Sequence, residues 1–548
     1  VQRHVSPVAR LRAVLDELAE RVEEVSFELP STDRDRRIEL RDDLTLSIRT
    51  YLIPRLADLD GDVVAVVVGA TGSGKSTIVN TLAGRNITET GAVRPTTTAP
   101  VVWCHAENAD EYREGPFAAV SPRVVTGHEG LLRGATIVDA PDFDSVVTEH
   151  REIAERLLEI ADLCVFVTSA QRYADAVPWE FLKRAHQRGV PTVFVINRLP
   201  AGGEGVVGDF KRHLRERAVA HREVVEIEEQ AVVDGQLPAS TVEPVKSLLE
   251  QLSDPVRRHE VLIDATRGSI EDVVVRSEQL ADETRHDMNE ADALADIAFD
   301  MYADQYRQVV RSLEDGTLIR AEVAARWQKF LGTGRFLTAL SERLGSFGRS
   351  LSGKPKQIDA DARRAFALEL RRHLDAAAAR AASAWELDPA GKTLIANSLL
   401  WRSSPDLDDR LDTMLDEWII DIGTLVTEQG QDRKRKAQLS SLGVNAAAVV
   451  AMVVIFAQTG GLTGGELGVA AGAAALQQKL LEQVFGTAVV RSMVTTARTS
   501  LEQRMHDVFD AESARFTGKV RGLAARLDPR LDEAARAVGA AAEVFYGR

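Results

Sequence analysis

The chain has 548 residues, too many for one hydrophobic core, so two or three domains are expected. Its 45% hydrophobic and 5% aromatic content is that of a folded chain rich in Ala, Val and Leu and excludes a disordered one. A formal net charge of −16 argues against general nucleic-acid binding. Cys104 and Cys164 both lie in apolar runs and read as buried thiols, with no disulfide framework or metal-site spacing.

The stretch 9–27 places Leu11, Val14, Leu15, Leu18 and Val22 at helical spacing. Pro30 and Ser31 interrupt the pattern, and a second helical stretch runs from about 33 to 59. Residues 1–59 therefore read as helices that pack with later ones in a bundle; a solvated helical hairpin is the alternative.

Next comes DVVAVVVGATGSGKSTIVN, residues 62–80. The run 63–68 is apolar at every position, as in a parallel strand buried on both faces. It leads into Gly69, Ala70, Thr71, Gly72, Ser73, Gly74, Lys75, Ser76 and Thr77, which fit G-x-x-x-x-G-K-[ST] spacing, and then into a helical run. Glycines let successive backbone N–H groups turn inward around a phosphate at the positive end of the following helix. Lys75 would reach the β- and γ-phosphates, and the Ser76 hydroxyl would hold Mg2+. The stretch predicts nucleotide binding.

From 60 to 254 strands and helices alternate, with strands expected at 62–68, 101–105, 135–139, 162–168 and 191–196. Helices are expected near 76–83, 149–160, 177–188 and 207–221. This is the pattern of an α/β domain with a mostly parallel sheet and helices on both faces. Within it, Thr96, Thr97 and Thr98 occupy a Pro-flanked loop suited to a switch that senses Mg2+ and the γ-phosphate, with Thr97 the preferred candidate. The strand 135–139 ends in Asp139, placed to contact Mg2+ through water; Asp142, Asp144 and Ser145 follow in what would be a second switch. The strand 193–196 ends in Asn197 and Arg198, where a base-reading loop should lie; a plain Pro-containing turn is the alternative.

These four pieces, in this order and spacing, resemble the GTPase superfamily of regulatory and dynamin-like proteins over about residues 60–250. Two positions depart from its pattern. Where the family has Asn-Lys-x-Asp, with the Asp accepting from guanine, this chain has Asn197-Arg198-Leu199-Pro200. Where the family has the Gly of Asp-x-x-Gly, it has Asp142. Thr71 and Gly72 replace a Gln-Ser pair common in dynamin-like phosphate loops, and no fifth motif stands out between 222 and 240.

From 255 to 430 the chain reads as nearly continuous helix, a bundle or stalk. Val274, Ala281 and Met288 share one face, as do Tyr306, Val310 and Leu313. Leu368, Leu370 and Leu374 continue the pattern, and so do Leu407, Leu411, Met414, Leu415 and Ile419. Residues 327–356 mix Trp327, Phe330, Phe336 and Phe347 with six basic residues against one Glu342, as in a segment that seeks anionic lipid; a bundle corner is the alternative. At 431–486 a basic cluster, 433–436, precedes an apolar run, a Gly-rich turn and an Ala/Gly-rich arm. This fits a hydrophobic hairpin that interacts with a membrane from its cytoplasmic face, or a tightly packed buried helix pair. Residues 487–548 return as amphipathic helix.

The whole order is similar to that of bacterial dynamin-like proteins, which place a membrane-binding tip between stalk helices. The resemblance implies Mg2+-dependent binding and hydrolysis of GTP, with GDP as product. It also implies membrane remodelling by nucleotide-controlled assembly, in processes such as division or membrane maintenance, through self-assembly or with a paralogous subunit. Lys75, Thr97 and Asp139 would serve catalysis, with Ser76, Thr97 and Asp139 at the metal. Two other readings stay open: a scaffold subunit impaired in nucleotide binding, and an ATP-preferring P-loop ATPase.

Overall fold

A computed structural model describes residues 6–90, 99–114, 116–127, 133–144, 148–173, 175–217, 219–314, 356–429, 482, 485–526 and 530–547. The chain divides into two compact units. The first comprises Val1–Phe27, Asp35–Arg285 and Ala525–Arg548; the second comprises Glu28–Arg34 and His286–Ala524.

The first unit is built on a seven-stranded sheet. Its strands are β1 (Val63–Gly69), β2 (Val101–Cys104), β3 (Arg123–Thr126), β4 (Ala135–Asp139), β5 (Leu163–Ser169), β6 (Thr192–Leu199) and β7 (Glu223–Glu228), in the order β3-β2-β4-β1-β5-β6-β7. All pairings are parallel except β2 with β4. The central β1 is buried at all seven positions, and successive side chains point to opposite faces. Val63, Ala65 and Val67 therefore join one core, with Ile78 and Val79 of α4 (Lys75–Ala83). Val64, Val66 and Val68 join the other, with Phe166 and Phe194.

That second core extends well beyond a minimal nucleotide domain. The helices preceding the sheet are α1 (Pro7–Glu24), α2 (Arg34–Leu46), a π-helical turn (Ser47–Leu52) and α3 (Ile53–Ala57). The helices after α4 are α5 (Ala109–Glu114), α6 (Thr148–Glu159), α7 (Ala176–Gln187), α8 (Glu204–Glu216), α9 (Ala239–Glu250) and the long α10 (Pro255–Glu314). Leu11, Leu15 and Leu18 of α1 lie in one continuous cluster with Phe166, with Ile270 and Val273 of α10, and with chain-terminal residues such as Leu531 and Val538. The N-terminal helices, expected to pack with later helices in a bundle, instead lie in the unit that carries the sheet, apart from Glu28–Arg34. At one crossing, a Cβ on Gly189 would lie 2.3 Å from the Gly268 Cα, so only glycine allows α10 to approach the α7–β6 turn so closely.

The π turn shifts the register of its helix by one residue. It brings the Ser47 hydroxyl within 2.8 Å of Glu159, to which it donates, and the Tyr51 hydroxyl within 3.0 Å of Asp162. Arg55 closes on the same Asp162 at 2.7 Å, and Arg276 of α10 reaches Glu159 at 3.4 Å. Burial would raise the Glu159 pKa, but Arg276, Arg188 and the Ser47 hydroxyl outweigh it and hold this carboxyl below its usual range.

The second unit is helical. Besides the later part of α10 it contains α11 (Lys356–Trp385), α12 (Pro389–Ala396), α13 (Leu407–Gln429) and α14 (Thr487–Arg521). Phe366, Leu370, Leu374, Ala377, Ala381 and Trp385 form the buried stripe of α11 at steps of three and four. Leu368, read in sequence as part of that stripe, is instead 60% exposed, because two residues from Phe366 or Leu370 is about 200° around a helix. The indole N–H groups of Trp385 and Trp418 each donate to a carbonyl of a neighbouring helix, Leu294 and Ala497, at 2.8 Å. Buried Glu512 accepts from the Ser404 backbone at 2.9 Å, from Arg410 at 2.7 Å and from Arg515 at 2.8 Å.

The expected single returning helix is two. After α14, α15 (Arg530–Tyr546) belongs to the first unit and packs along α1. The basic-aromatic segment 327–356 lies outside the described residues apart from Lys356, and so does 431–486 apart from Glu482, Phe485 and Gly486. Among the described residues no helix is long and apolar enough to cross a membrane.

Candidate nucleotide-binding site

The site lies at the carboxyl ends of β1, β4 and β6, where ligands gather in open α/β sheets. β1 delivers Gly69 to the loop and α4 begins at Lys75, so the loop is held between a strand and a helix N-terminus. Gly74 caps α4 with φ +96°, a left-handed conformation, and a Cβ there would lie 2.3 Å from the Asn197 Nδ2. The Ser73 hydroxyl is buried without a hydrogen-bond partner, as expected of a group that faces a ligand.

Asn197, at the end of β6, donates from Nδ2 to the Ser73 carbonyl at 2.9 Å and accepts from the Arg198 N–H at 2.9 Å. Arg198 sits at φ +55°, uncommon for a residue with a Cβ, and a β-bulge between Ile196 and Leu199 accompanies it. The fourth motif therefore folds back onto the phosphate loop. Pro200 follows and offers no side-chain acceptor for a base.

The structure brings Ser76 and Asp139 together: the Ser76 hydroxyl donates to Asp139 Oδ2 at 2.8 Å. A second hydroxyl, that of Thr88, donates to the same oxygen at 2.7 Å. Asp139 is wholly buried, and its Oδ1 has no hydrogen-bond partner. Burial raises its pKa, against the opposing effects of Lys75 and the two hydroxyls. A carboxylate with an orphan oxygen beside two hydroxyls is an all-oxygen donor set of the kind a hard divalent cation takes, so the residues fit Mg2+. Thr97, the preferred switch threonine, lies outside the described residues. No local spacing in the sequence links Thr88 to Asp139, 51 positions away.

Two acidic residues of the segment after β4 engage the loop. Lys75 Nζ is ion-paired with Asp142 Oδ1. Asp144 accepts from the Thr71 N–H at 2.6 Å and from the Thr71 hydroxyl at 2.8 Å, and Arg172 bridges it (3.0 Å) to the Thr71 carbonyl (2.7 Å). Burial would raise the Asp144 pKa, but the Thr71 hydrogen bonds and Arg172 hold it below the usual carboxylate range. Gly69, Ala70, Thr71, Gly72, Ser73, Gly74, Lys75, Ser76, Thr77, Asp139, Asn197 and Arg198 are all in or around this one site.

The fold and these contacts define a P-loop nucleotide-binding domain. Residues 64–198 match the family model described as 50S ribosome-binding GTPase, so the domain is a P-loop GTPase domain. Over 156 residues the chain is 29% identical to a probable transmembrane GTPase of Arabidopsis thaliana, FZO-like and chloroplastic. That match covers 27% of this chain and 16% of the plant protein's length. It agrees with the dynamin-like resemblance of the motifs. Among solved structures, an oligomerised bacterial dynamin pair is similar across 99% of this chain and 96% of its own, at 11% identity and a TM-score of 0.43. Era of Aquifex aeolicus, bound to GDP.AlF4-, covers 34% of this chain and 56% of its own, at 21% identity and a TM-score of 0.26.

Proposed function

We propose that the chain is a dynamin-like GTPase that binds GTP with Mg2+, hydrolyses it to GDP and uses the cycle to drive assembly on a membrane. The observation that carries this reading is the convergence of Lys75, Ser76 and Asp139 on one loop capped by Asn197. In this proposal the backbone from Gly69 to Thr77 wraps the phosphates, and Lys75 leaves Asp142 to neutralise the β- and γ-oxygens. Ser76 and Asp139 would hold the cation, with Thr97 as the switch threonine. Bound Mg2+ would supply charge neutralisation on the phosphate oxygens. Asn197 pins the loop to the base site, and Arg198 lies beside it. No side chain acts as an obvious general base, so catalysis is positioning of water and stabilisation of charge.

The segments 431–486 and 327–356 are the proposed lipid contacts, at the cytoplasmic face of the cell membrane. Assembly with further copies, or with a paralogous subunit, would use the helical unit, in bacterial division or membrane maintenance. No role for nucleic acid is proposed, in line with the acidic net charge.

A second reading has its own observations: Pro200 in place of a guanine-reading carboxylate, and an acidic residue already paired with Lys75. Both suit a scaffold subunit impaired in nucleotide binding. Calorimetry with GTP and ATP in Mg2+, using Lys75→Ala as control, separates the readings. GTP binding that Lys75→Ala abolishes supports the enzyme, ATP preference makes it an ATPase, and no binding supports the scaffold. Flotation with anionic liposomes tests the membrane part.

A further inference from the structure

Asp139 Oδ2 accepts two hydroxyl hydrogen bonds. One comes from Ser76, the expected cation ligand; the other, at 2.7 Å, comes from Thr88. Thr88 is itself fixed. Its backbone N–H donates to Asn80 Oδ1 at 2.9 Å, the Ile87 N–H donates to the same oxygen at 2.8 Å, and Asn80 Nδ2 donates back to the Thr88 carbonyl at 3.0 Å. Asn80 is fully buried in α4, the helix that begins at Lys75. A side-chain amide thus satisfies the backbone of two successive residues, which locks the Thr88 hydroxyl against the carboxylate.

We propose that Thr88 is a positioning residue for the divalent cation, holding Asp139 through Oδ2 so that Oδ1 is the atom offered to a cation-bound water. The proposal rests on the reading of the site as one for Mg2+ and nucleotide. Oδ1 is buried and unpartnered, a costly state for a carboxylate oxygen unless a ligand completes it. Ser76 can give its one hydrogen to Oδ2 and still turn a lone pair to the cation, and Thr88 adds a second donor to the same oxygen, so that Oδ2 is held from two sides. Groups of this kind, which orient a ligand without touching the metal, typically alter metal affinity by about ten- to a hundredfold when removed.

The test measures affinity for a non-hydrolysable GTP analogue across a Mg2+ titration and again in EDTA, for the full chain and for Thr88→Val and Thr88→Ser. Thr88→Val should raise the Mg2+ concentration for half-maximal effect by about tenfold, leaving the EDTA affinity unchanged. Thr88→Ser, which keeps the hydroxyl, should restore the native Mg2+ response. The inference is overturned if Thr88→Val titrates like the native chain, if it weakens binding equally with and without Mg2+, or if Thr88→Ser fails as badly as Thr88→Val. Native nucleotide binding that ignores Mg2+ overturns this inference alone. Native failure to bind nucleotide overturns the nucleotide reading and the inference together.

Discussion

Lys75 and Asp142 form an ion pair in the phosphate site, so the cation of the phosphate loop is held by the chain's own carboxylate. Asp144 occupies the Thr71 N–H and hydroxyl in the same way. Nucleotide must displace both before its phosphates can reach these donors. A hydrogen bond to a charged group contributes about 1.5–3 kcal/mol. Asp142→Asn should therefore tighten nucleotide binding by about tenfold or more, read by calorimetry against the native chain. Unchanged or weaker binding would show that Asp142 does not compete with phosphate.

Asn197 ties the fourth motif to the Ser73 carbonyl at 2.9 Å. Asn197→Ala removes that tie and leaves a buried carbonyl unpaired. A loss of about 1–3 kcal/mol is expected, or roughly a tenfold weaker nucleotide affinity. Fluorescent-nucleotide titration checks it, with the melting temperature as control for folding.

Asp43 has its pKa raised to about 6, first by burial and then by Glu159 and Glu39, against Arg184 and Arg276. A carboxyl whose folded pKa exceeds its unfolded value favours the native state while protonated. Its contribution is complete below about pH 3.8 and is lost as pH rises through about 6. Asp43→Asn should remove this dependence. Subtracting the two stability–pH profiles should give a difference that changes between pH 4 and 6 and is flat above 7; a difference flat throughout would refute the assignment.

Glu512 is buried in the helical unit, with Arg410 and Arg515 both within 2.8 Å. Glu512→Ala removes the carboxylate shared by Arg410, Arg515 and the Ser404 N–H, although Arg515 keeps the Arg402 carbonyl at 3.0 Å. Both arginines retain some access to water, so the cost belongs at the low end of the range for broken buried pairs, about 3 kcal/mol. Chemical denaturation should show a lower midpoint, with the nucleotide-binding site unaffected.

Much of the site was legible because its signals are local. The phosphate loop needs fixed spacing between Gly69, Gly74, Lys75 and Ser76, and Asp139 and Asn197 end apolar strands. The short β3 and the alternating β7, Glu223–Glu228, escaped notice because each has a polar, solvated side and neither reads as a buried run. Sequence thus determined a parallel α/β nucleotide domain followed by a long helical region, since hydrophobic period and loop spacing are properties of neighbouring residues. Only the tertiary structure decided that Thr88 holds Asp139, that Asp142 and Asp144 sit on the phosphate loop, and that α1 and α15, from opposite ends of the chain, pack together. These contacts join residues tens to hundreds of positions apart. Such pairings leave no periodic trace in the chain, and they exist only because burial of the sheet brings the segments together.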